Sequence, residues 1–338
     1  MNSFPITRTP TLASYVTVLR TIGAPVEQGL RRARLPTLFE ETPDAWISYK
    51  RLRYFTADIA AREGIPELGL IPAASDLERG LSEAFLNPLM RIPTLFQALQ
   101  TIPSLTSRQT SNIRFWLEMS GKQARTCLQL PLPPEVPGYA IGETRTLRLI
   151  EKIIRAFVGD DFVPTRVLLA SRPTDLQFDL ESAYGGVPVR TGQPYGAIEF
   201  PRRLLVSTHN MAGPGTAAFD RSPDTLADTL EACLPPYLLE GYPDASLAAE
   251  IVGCGKRTLQ RRLAEEGTTY REVVDRVRCR IAISELKNAD MGLWQLSQRL
   301  GYSEQSAFSR AFQRWTGLSP GEYRAHIHFR SPGSCDLA

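Results

Sequence analysis

Two short segments of the sequence carry arginine, glutamine and serine side chains that recur at the spacing of one helix face. These side chains are Arg257, Gln260 and Arg261 in the first segment, and Gln305, Ser306, Ser309 and Arg310 in the second. Arginine and glutamine make paired hydrogen bonds to the edges of guanine and adenine in the major groove of DNA. The chemistry that these residue types indicate is therefore the reading of base pairs.

Each segment must form an amphipathic helix if its polar side chains are to face one way. At 100° per residue, Leu259 and Leu263 lie together on the side of the first helix that is opposite to its arginines. In the second helix the apolar stripe consists of Phe308, Ala311, Phe312 and Trp315. The spacing predicts helices over 256–266 and 304–315, each with one buried face and one polar face.

A shorter helix and a tight turn precede each of these segments. The shorter helices are predicted at 246–252 and 293–300, and glycine follows each of them, as Gly253 and Gly301. Glycine ends a helix well because it adopts positive φ without a steric penalty. Small residues such as Ala248 and Ser297 allow the paired helices to approach closely. The pattern predicts two helix-turn-helix units.

A long helix is predicted between the two units, over 270–288. Val273, Val277 and Ile281 recur every four residues as its buried seam. Nineteen residues span about 28 Å at 1.5 Å per residue, and one turn of duplex is about 34 Å. Such a spacer can hold two recognition helices near adjacent major grooves.

The region after residue 222 is predicted to be all helix. The seven predicted helices lie at 223–234, 246–252, 256–266, 270–288, 293–300, 304–315 and 320–328.

The distribution of charge agrees with this interpretation without proving it. The net charge is +3, and residues 1–240 hold 25 Lys/Arg against 25 Asp/Glu, so the whole excess lies in residues 241–338. Lys256, Arg257, Arg261 and Arg262 place four cations within seven residues. A basic helix face attracts a phosphate backbone, but a solvated helix face has the same composition. The paired units, more than the charge, indicate DNA.

The N-terminal part, residues 1–207, has the pattern of an α+β domain. A segment rich in Gly, Ala, Thr and Pro at 208–222 predicts a linker, the DNA-binding domain is expected over 223–330, and 331–338 are expected to be a disordered tail. The predicted elements of the first domain are helices at 11–33, 48–63, 94–106 and 141–158, a hairpin at 111–119 and 123–130, and strands at 165–170 and 196–200.

Several other classes of protein are disfavoured by the sequence. The five cysteines are odd in number and widely spaced, which predicts neither a disulfide framework nor a zinc site. The histidines have no ligand partners at metal spacing, and no nucleophile motif or phosphate-binding glycine loop is present. We therefore expect no enzyme activity, cofactor or metal. Because no apolar run reaches the length of a membrane span and no secretory signal is evident, we expect a cytoplasmic protein.

The residues from about 246 to 324 resemble the AraC/XylS family of bacterial transcription regulators. The segments that carry the resemblance are GYSEQSAFSRAFQRWTGLSPGEYR at 301–324 and TLQRRLAEEGTTYREVVDRVR at 258–278. Residues 1–210 resemble, more weakly, the ligand-sensing domain that this family labels "arabinose-binding", a label that does not fix the ligand. The resemblance implies an activator that binds promoter DNA, contacts RNA polymerase and responds to a small-molecule effector.

The resemblance also implies roles for particular residues. The seven polar side chains named above correspond to base contacts, and Lys256, Thr258 and Arg314 correspond to contacts with the DNA backbone. Two departures from the family pattern stand out. Gly255 replaces a serine that usually caps the first recognition helix, whereas Ser303 keeps that position in the second. Trp294 replaces a small residue and is expected to add to the core.

Other interpretations stay open at this point. A homodimer is expected, because dimerisation through residues 1–210 would bring a second half-site within reach. The N-terminal domain could instead serve dimerisation alone and sense no ligand. A nonspecific architectural DNA binder is a third possibility, and the sequence identifies no pocket residues.

Overall fold

The computed structural model describes residues 4–71, 81–89, 91–208, 223, 225–287 and 291–329. The chain divides into two compact units, Met1–Ser222 and Pro223–Ala338, and each is described by itself. The predicted linker, apart from Thr208 and Pro223 at its borders, and the predicted tail at 331–338 lie outside the described residues.

The N-terminal unit combines helices with two small sheets, so the predicted α+β class is confirmed. Its helices are α1 Thr9–Thr21, α2 Val26–Ala33, α3 Tyr49–Glu63, α4 Glu83–Leu89, α5 Leu95–Gln109, α6 Tyr139–Val158 and α7 Leu180–Ala183. Its strands are β1 Ile6–Arg8, β2 Trp46–Ser48, β3 Arg114–Ser120, β4 Gln123–Gln129, β5 Arg166–Leu168, β6 Val189–Arg190 and β7 Gly196–Pro201. The sequence did not predict strands β1, β2 and β6 or helices α4 and α7.

The larger sheet has the order β3-β4-β7-β5-β6 and packs against α5 and α6. All neighbours in it are antiparallel except β5 and β6, which run parallel. Its central strand β7 is buried, and Ile198 and Phe200 join Ile102 of α5 and Ile154 of α6 in one hydrophobic core. A second core lies among α1, α2 and α3. The helix α6 therefore borders the sheet on one side and α3 on the other.

The helix predicted over 11–33 is wrong as a single element. The structure breaks it into α1 and α2 at Gly23 and Pro25. Gly23 adopts φ +79°, and the amide of Ala24 bonds back to the carbonyl of Leu19 at 2.9 Å, which closes α1 with a left-handed cap. Apolar residues keep helical spacing on both sides of the break, which is why the pattern reads as continuous.

The helix α6 is held in place by two close contacts. The buried carboxylate of Glu143 accepts hydrogen bonds from the amides of Ala170 at 2.7 Å and Ser171 at 3.0 Å, just after β5. At the start of the helix, Gly138 has φ +79° and lies against the carbonyl of Arg53 in α3. A Cβ at position 138 would lie 2.1 Å from that carbonyl oxygen. Position 138 therefore requires glycine for two reasons: its backbone has positive φ, and a side chain there would collide with α3.

The C-terminal unit is helical throughout its described residues. Its helices are α8 Leu226–Cys233, α9 Pro235–Leu238, α10 Ala245–Ile251, α11 Lys256–Glu265, α12 Tyr270–Glu285, α13 Leu293–Arg299, α14 Gln305–Thr316 and α15 Pro320–Phe329. The helix predicted over 223–234 starts later than expected, because Thr225 is its N-cap and forms a capping box with Asp228. The helix predicted over 270–288 ends at Glu285, and its last predicted residue lies outside the described residues.

The four described cysteines, Cys127, Cys233, Cys254 and Cys279, are free thiols. Burial raises the pKa of Cys127 to about 12 and also raises the pKa values of Cys233, Cys254 and Cys279. A redox sensor needs the opposite shift. Across the described part of the chain, no group of three metal-ligating side chains is found, and no helix there has both the length and the apolar character to cross a bilayer.

Gly138→Ala should destabilise the N-terminal unit strongly. Left-handed backbone costs a residue with a Cβ about 1–2 kcal/mol, and overpacking against the Arg53 carbonyl adds about 1–3 kcal/mol. Gly121→Ala is the matched control, since Gly121 also has positive φ but a Cβ there meets nothing within 4 Å. Scanning calorimetry should show a much larger drop in melting temperature for Gly138→Ala, and equal drops would contradict the α3–α6 contact.

Candidate nucleic-acid interface

The first helix pair of the C-terminal unit, α10 and α11, meets at a tight glycine turn. The carboxylate of Asp244 caps α10 by accepting from the amide of Leu247 at 2.7 Å. After α10 the chain turns at Gly253, which has φ +74°, and the amide of Cys254 bonds to the carbonyl of Ala249 at 2.9 Å. This glycine conformation agrees with the prediction from the sequence, and it allows α11 to pack across the small residues of α10.

The two faces of α11 differ as the spacing predicts. Leu259 and Leu263 are fully buried, and the exposed side chains on the other face are Arg257, Gln260 and Arg261. Lys256 is exposed and Thr258 is half-buried. Arg261 lies 3.8 Å from Glu265 in an open ion pair one helical turn away. Pairs of this kind contribute only about 0.3–0.5 kcal/mol, so the Arg261 guanidinium can exchange Glu265 for another acceptor.

The second pair, α13 and α14, repeats this arrangement around Gly301. Gly301 has φ +73°, and the amide of Tyr302 bonds to the carbonyl of Ser297 at 3.0 Å. Phe308 and Phe312 of α14 are fully buried and pack with ring centroids 5.8 Å apart. The rest of the predicted stripe follows, with Ala311 buried and Trp315 half-buried. The apolar face of α14 is therefore the one that the sequence indicates.

Two local expectations for this pair are wrong. Trp294 is 62% exposed and does not join the core. The buried residues of α13 are Leu296 and Ser297, and Leu300, just after the helix, is buried in the same core. Leu293 is partly buried against that core, and Trp294 projects about 100° away from it along the helix. The N-cap of α14 is Glu304 instead of Ser303, and neither α14 nor α11 has a side-chain cap. The first amides of both helices are therefore not occupied by a cap of their own.

The polar face of α14 is more varied than that of α11. Gln305, Ser306 and Arg310 are exposed, whereas Ser309 is half-buried. The hydroxyl of Ser306 lies 3.1 Å from a carboxylate oxygen of Glu304, to which it donates. The described structure thus leaves Gln305 and Arg310 the most accessible of the four predicted positions.

A groove of about 470 Å³ separates α14 from α12, and arginine dominates its walls. Arg310 and Arg314 enter it from α14, and Arg271 and Arg278 enter from α12. Asp275 is the one acidic residue among the described residues that line it, and its carboxylate lies 3.0 Å from a guanidinium nitrogen of Arg314. Four guanidinium groups around one carboxylate make this groove a place where anions are attracted.

Arg278 connects the two helix pairs. It is only 8% exposed, and its guanidinium carbon lies 4.9 Å from the ring centroid of Tyr242, just before α10, and 4.4 Å from that of Tyr302, between α13 and α14. A guanidinium between two aromatic faces is favoured by the ring quadrupoles, the more so when it is desolvated. The same guanidinium lies 3.5 Å from the carbonyl oxygen of Gly301. We call Arg278, Tyr242 and Tyr302 the arginine clamp.

The sequence analysis did not identify the arginine clamp or the residues of α12 that line the groove. Arg271, Asp275 and Arg278 are spaced four and three residues apart, so a charged stripe on α12 was visible in the sequence. Tyr242 gave no signal, because it lies 36 residues from its partner and only the tertiary fold brings them together. The predicted residues Arg310 and Arg314 share the groove, whereas those of α11 lie on a separate helix.

Comparisons with known proteins agree with this geometry. A family model for a helix-turn-helix domain matches residues 248–326, and a model for the N-terminal arabinose-binding domain of AraC transcription regulators matches residues 23–208. The chain is 28% identical to the HTH-type transcriptional regulator VirS of Mycobacterium tuberculosis, over 94% of this chain and 96% of VirS. It is 44% identical to the HTH-type transcriptional regulator VqsM of Pseudomonas aeruginosa, over 52% of this chain and 58% of VqsM.

A solved structure, that of the transcriptional regulator CdpR from Pseudomonas aeruginosa, is similar to this chain at 23% identity. The match covers 89% of this chain and 96% of CdpR, with a TM-score of 0.38.

Arg278→Met should loosen the junction of the two helix pairs. It removes two cation–π contacts, which we expect to lower the free energy of unfolding by about 1–2 kcal/mol and to speed hydrogen exchange of the Tyr302 amide. Arg276→Met is the matched control, because Arg276 is exposed on the same helix and its partner Glu231 also pairs with Arg280. If the two variants have the same free energy of unfolding and the same exchange rate at the Tyr302 amide, the arginine clamp does not stabilise the junction.

Proposed function

The chain belongs to the AraC family of DNA-binding transcription regulators, and from this premise we propose that it recognises a specific promoter sequence through two recognition helices and responds to a small molecule. We assign residues 223–330 as the DNA-binding domain and residues 1–207 as the sensing and dimerisation domain. The observation that carries the proposal is the division of α11 and of α14 into a buried apolar face and an exposed face of arginine, glutamine and serine.

In this proposal α10–α11 and α13–α14 are two helix-turn-helix units, and α12 is the strut between them. Sixteen residues make α12 about 24 Å long at 1.5 Å per residue. This is shorter than the roughly 34 Å of one duplex turn, so the two units that flank the strut must span the rest of the step between neighbouring major grooves. The arginine clamp supports this role, because one buried side chain of the strut contacts the entrance to the first unit and the turn of the second. Two recognition helices held at a fixed separation recognise a longer DNA sequence than either helix alone.

We propose base contacts for the exposed polar residues and backbone contacts for their neighbours. The base-reading set is Arg257, Gln260, Arg261, Gln305, Ser306, Ser309 and Arg310, and the backbone set is Lys256, Thr258 and Arg314. The uncapped starts of α11 and α14 support this orientation, since free amides at a helix N-terminus bind phosphate oxygens. Arg314 would exchange its ion pair with Asp275 for a phosphate.

We further propose that the protein acts as a homodimer and activates transcription through contact with RNA polymerase. The exposed Trp294, on the first helix of the second unit, is an aromatic side chain that its own domain does not cover, and aromatic residues are enriched in protein interfaces. The alternative for the N-terminal domain is dimerisation without sensing. The cavity described in the next subsection favours sensing.

The experiment that tests the proposed function is selection of bound sequences from random DNA with the full-length protein, with and without cell extract. We expect one enriched motif with two conserved segments, which is present twice if the protein binds as a dimer, and we expect its affinity to change with extract. Enrichment without a motif would indicate a nonspecific architectural binder.

Arg261→Ala and Arg314→Ala should weaken binding in different ways. Loss of a base contact removes discrimination at one base pair, which costs about 1–3 kcal/mol against the preferred pair. Loss of a phosphate contact weakens all sequences alike and lowers the slope of log K against log salt concentration by about one. Anisotropy titrations over single-base variants of the selected site, at several salt concentrations, measure both. If Arg261→Ala weakens every variant equally, Arg261 does not read bases.

Asp275→Asn should strengthen DNA binding to all sequences. It removes the carboxylate that competes with phosphate for Arg314, and exposed pairs of this kind contribute up to about 1 kcal/mol, which is roughly a five-fold change in affinity. The same titrations with Asp275→Asn provide the measurement, and Glu285→Asn, at the far end of α12 and outside the groove, is the control. Weaker binding by Asp275→Asn would mean that the ion pair positions Arg314 for DNA instead of restraining it.

A further inference from the structure

A cavity lies inside the N-terminal unit, bordered by α1, α3, α5, α6 and β3. Its volume is about 60 Å³. Arg53 and Arg145 lie together in its wall, because both guanidinium groups approach the ring of Tyr15. The wall also has polar side chains such as Thr11 and Gln109, and apolar ones that include Phe85, Ile102 and Phe115. No acidic residue lines it among the described residues. The cavity therefore combines positive charge with an apolar wall.

Arg53 is the unusual feature of this cavity, because it is buried without a carboxylate. It is 1% exposed, and its Nη1 donates to the hydroxyl of Tyr15 at 3.3 Å. Its Nε has no hydrogen-bond partner, and no described carboxylate forms an ion pair with it. A guanidinium remains protonated in proteins and has five donors. Burying such a charge is costly unless a counter-charge or a full set of acceptors is supplied.

The neighbouring side chains favour the charge but do not neutralise it. The guanidinium carbon lies 5.4 Å from the ring centroid of Tyr15 and 5.0 Å from that of Tyr49. Burial raises the pKa of Tyr49, so its hydroxyl stays neutral at physiological pH. Arg145 approaches the same Tyr15 ring, at 5.3 Å. Its Nε donates to the hydroxyl of Ser14 at 3.1 Å.

The backbone of α6 is shaped to admit the Arg53 side chain. A Cβ at Gly142 would lie 2.1 Å from Nη1 of Arg53, so only glycine leaves the guanidinium its present position. Together with Gly138 at the same junction, this makes the placement of Arg53 a consequence of the α3–α6 packing. The charge is held where the cavity is, and it does not reach solvent.

We propose that this cavity is the effector site and that the effector is a short aliphatic monocarboxylate. The carboxylate would accept paired hydrogen bonds from Arg53, with Arg145 as a second donor, and the tail would lie against Phe85, Ile102 and Phe115. Arginine and carboxylate match in planar, two-point geometry. This inference rests on the proposed function, because it names the ligand class of the proposed sensor.

The volume and the charges of the cavity narrow the ligand further. A cavity of about 150 Å³ accommodates benzene, with its six heavy atoms, so one of about 60 Å³ suits a carboxylate of only two or three carbons, such as acetate or propionate. An amino acid is disfavoured, because its ammonium group would meet arginines and no described carboxylate. Free inorganic phosphate would leave the apolar wall without a partner. The class is therefore defined by one anionic head and one small apolar tail.

The test measures the melting temperature and the calorimetric affinity of the full-length protein with acetate and propionate. Propylamine, 1-propanol, alanine and inorganic phosphate are the matched probes that lack the tail, lack the negative head or add an ammonium. We expect only the carboxylates with a tail to raise the melting temperature, in a saturable way. A saturable response to phosphate alone, to alanine alone or to none of these probes would overturn the inference.

Arg53→Met should weaken propionate binding roughly ten-fold or more, since it removes a charge-assisted, paired hydrogen bond. The variant should still fold, because replacing a buried charge by an apolar side chain of similar size is often neutral or stabilising. Arg62→Met, an exposed change on the same helix, is the control and should bind like the parent protein. Unchanged affinity in a folded Arg53→Met variant would overturn the assignment.

A second variant keeps both arginines and changes only the apolar wall. Ile102→Phe should reduce the affinity for propionate more than that for acetate, because it fills the space of the tail. Equal loss for both ligands would place the tail elsewhere. This variant decides the question even if Arg53→Met does not fold.

DNA affinity measured in parallel separates this inference from the proposed function. If cell extract alters promoter binding and the carboxylates do not bind, ligand control stands and the carboxylate assignment is wrong. If the carboxylates bind and promoter affinity does not change, the site stands and ligand control through it is wrong.

Discussion

The arrangement of the C-terminal unit depends on one buried cation, Arg278, held between the rings of Tyr242 and Tyr302. A helix-turn-helix pair is small and presents only a few side chains, so one pair alone discriminates weakly. Two pairs discriminate well only if their separation and direction are fixed. In the function that we propose, the arginine clamp fixes both, because Arg278 belongs to α12 and contacts the entrance to one pair and the turn of the other. In this proposal the exposed arginines can read DNA together only because the buried Arg278 holds their helices in position.

Arginine lies in opposite environments in the two units of the chain, exposed in one and buried in the other. In the C-terminal unit, Arg310 and Arg314 border an open groove, where water and salt keep the cost of their charge low and DNA can replace both. In the N-terminal unit, Arg53 is enclosed by Tyr15, Tyr49 and the backbone of Gly142, where its charge is costly in the absence of a counter-charge. In the functions that we propose, the exposed cations bind a large polyanion and the buried cation binds a single small anion. Burial, more than residue type, separates these two proposed functions.

Much of the DNA-binding unit could be predicted from the sequence, because its determinants are local. Helical periodicity identified the buried faces at Leu259 and Phe308, and glycine chemistry identified the turns at Gly253 and Gly301. Local patterns failed where a break leaves the apolar period intact, as at Gly23, and where an aromatic side chain lies beside the core row without joining it, as Trp294 does. The arginine clamp and the cavity around Arg53 could not be predicted, because their members are distant in sequence and meet only through packing.

The central claim is that two recognition helices face the same side of DNA about one turn apart. Hydroxyl-radical footprinting of the full-length protein on its selected site tests this claim most directly. The account predicts two protected segments per half-site on one face of the duplex, with centres about 10 bp apart, and loss of high affinity when 5 bp are inserted between them. One protected segment per half-site, two segments on opposite faces, or tolerance of the insertion would contradict it.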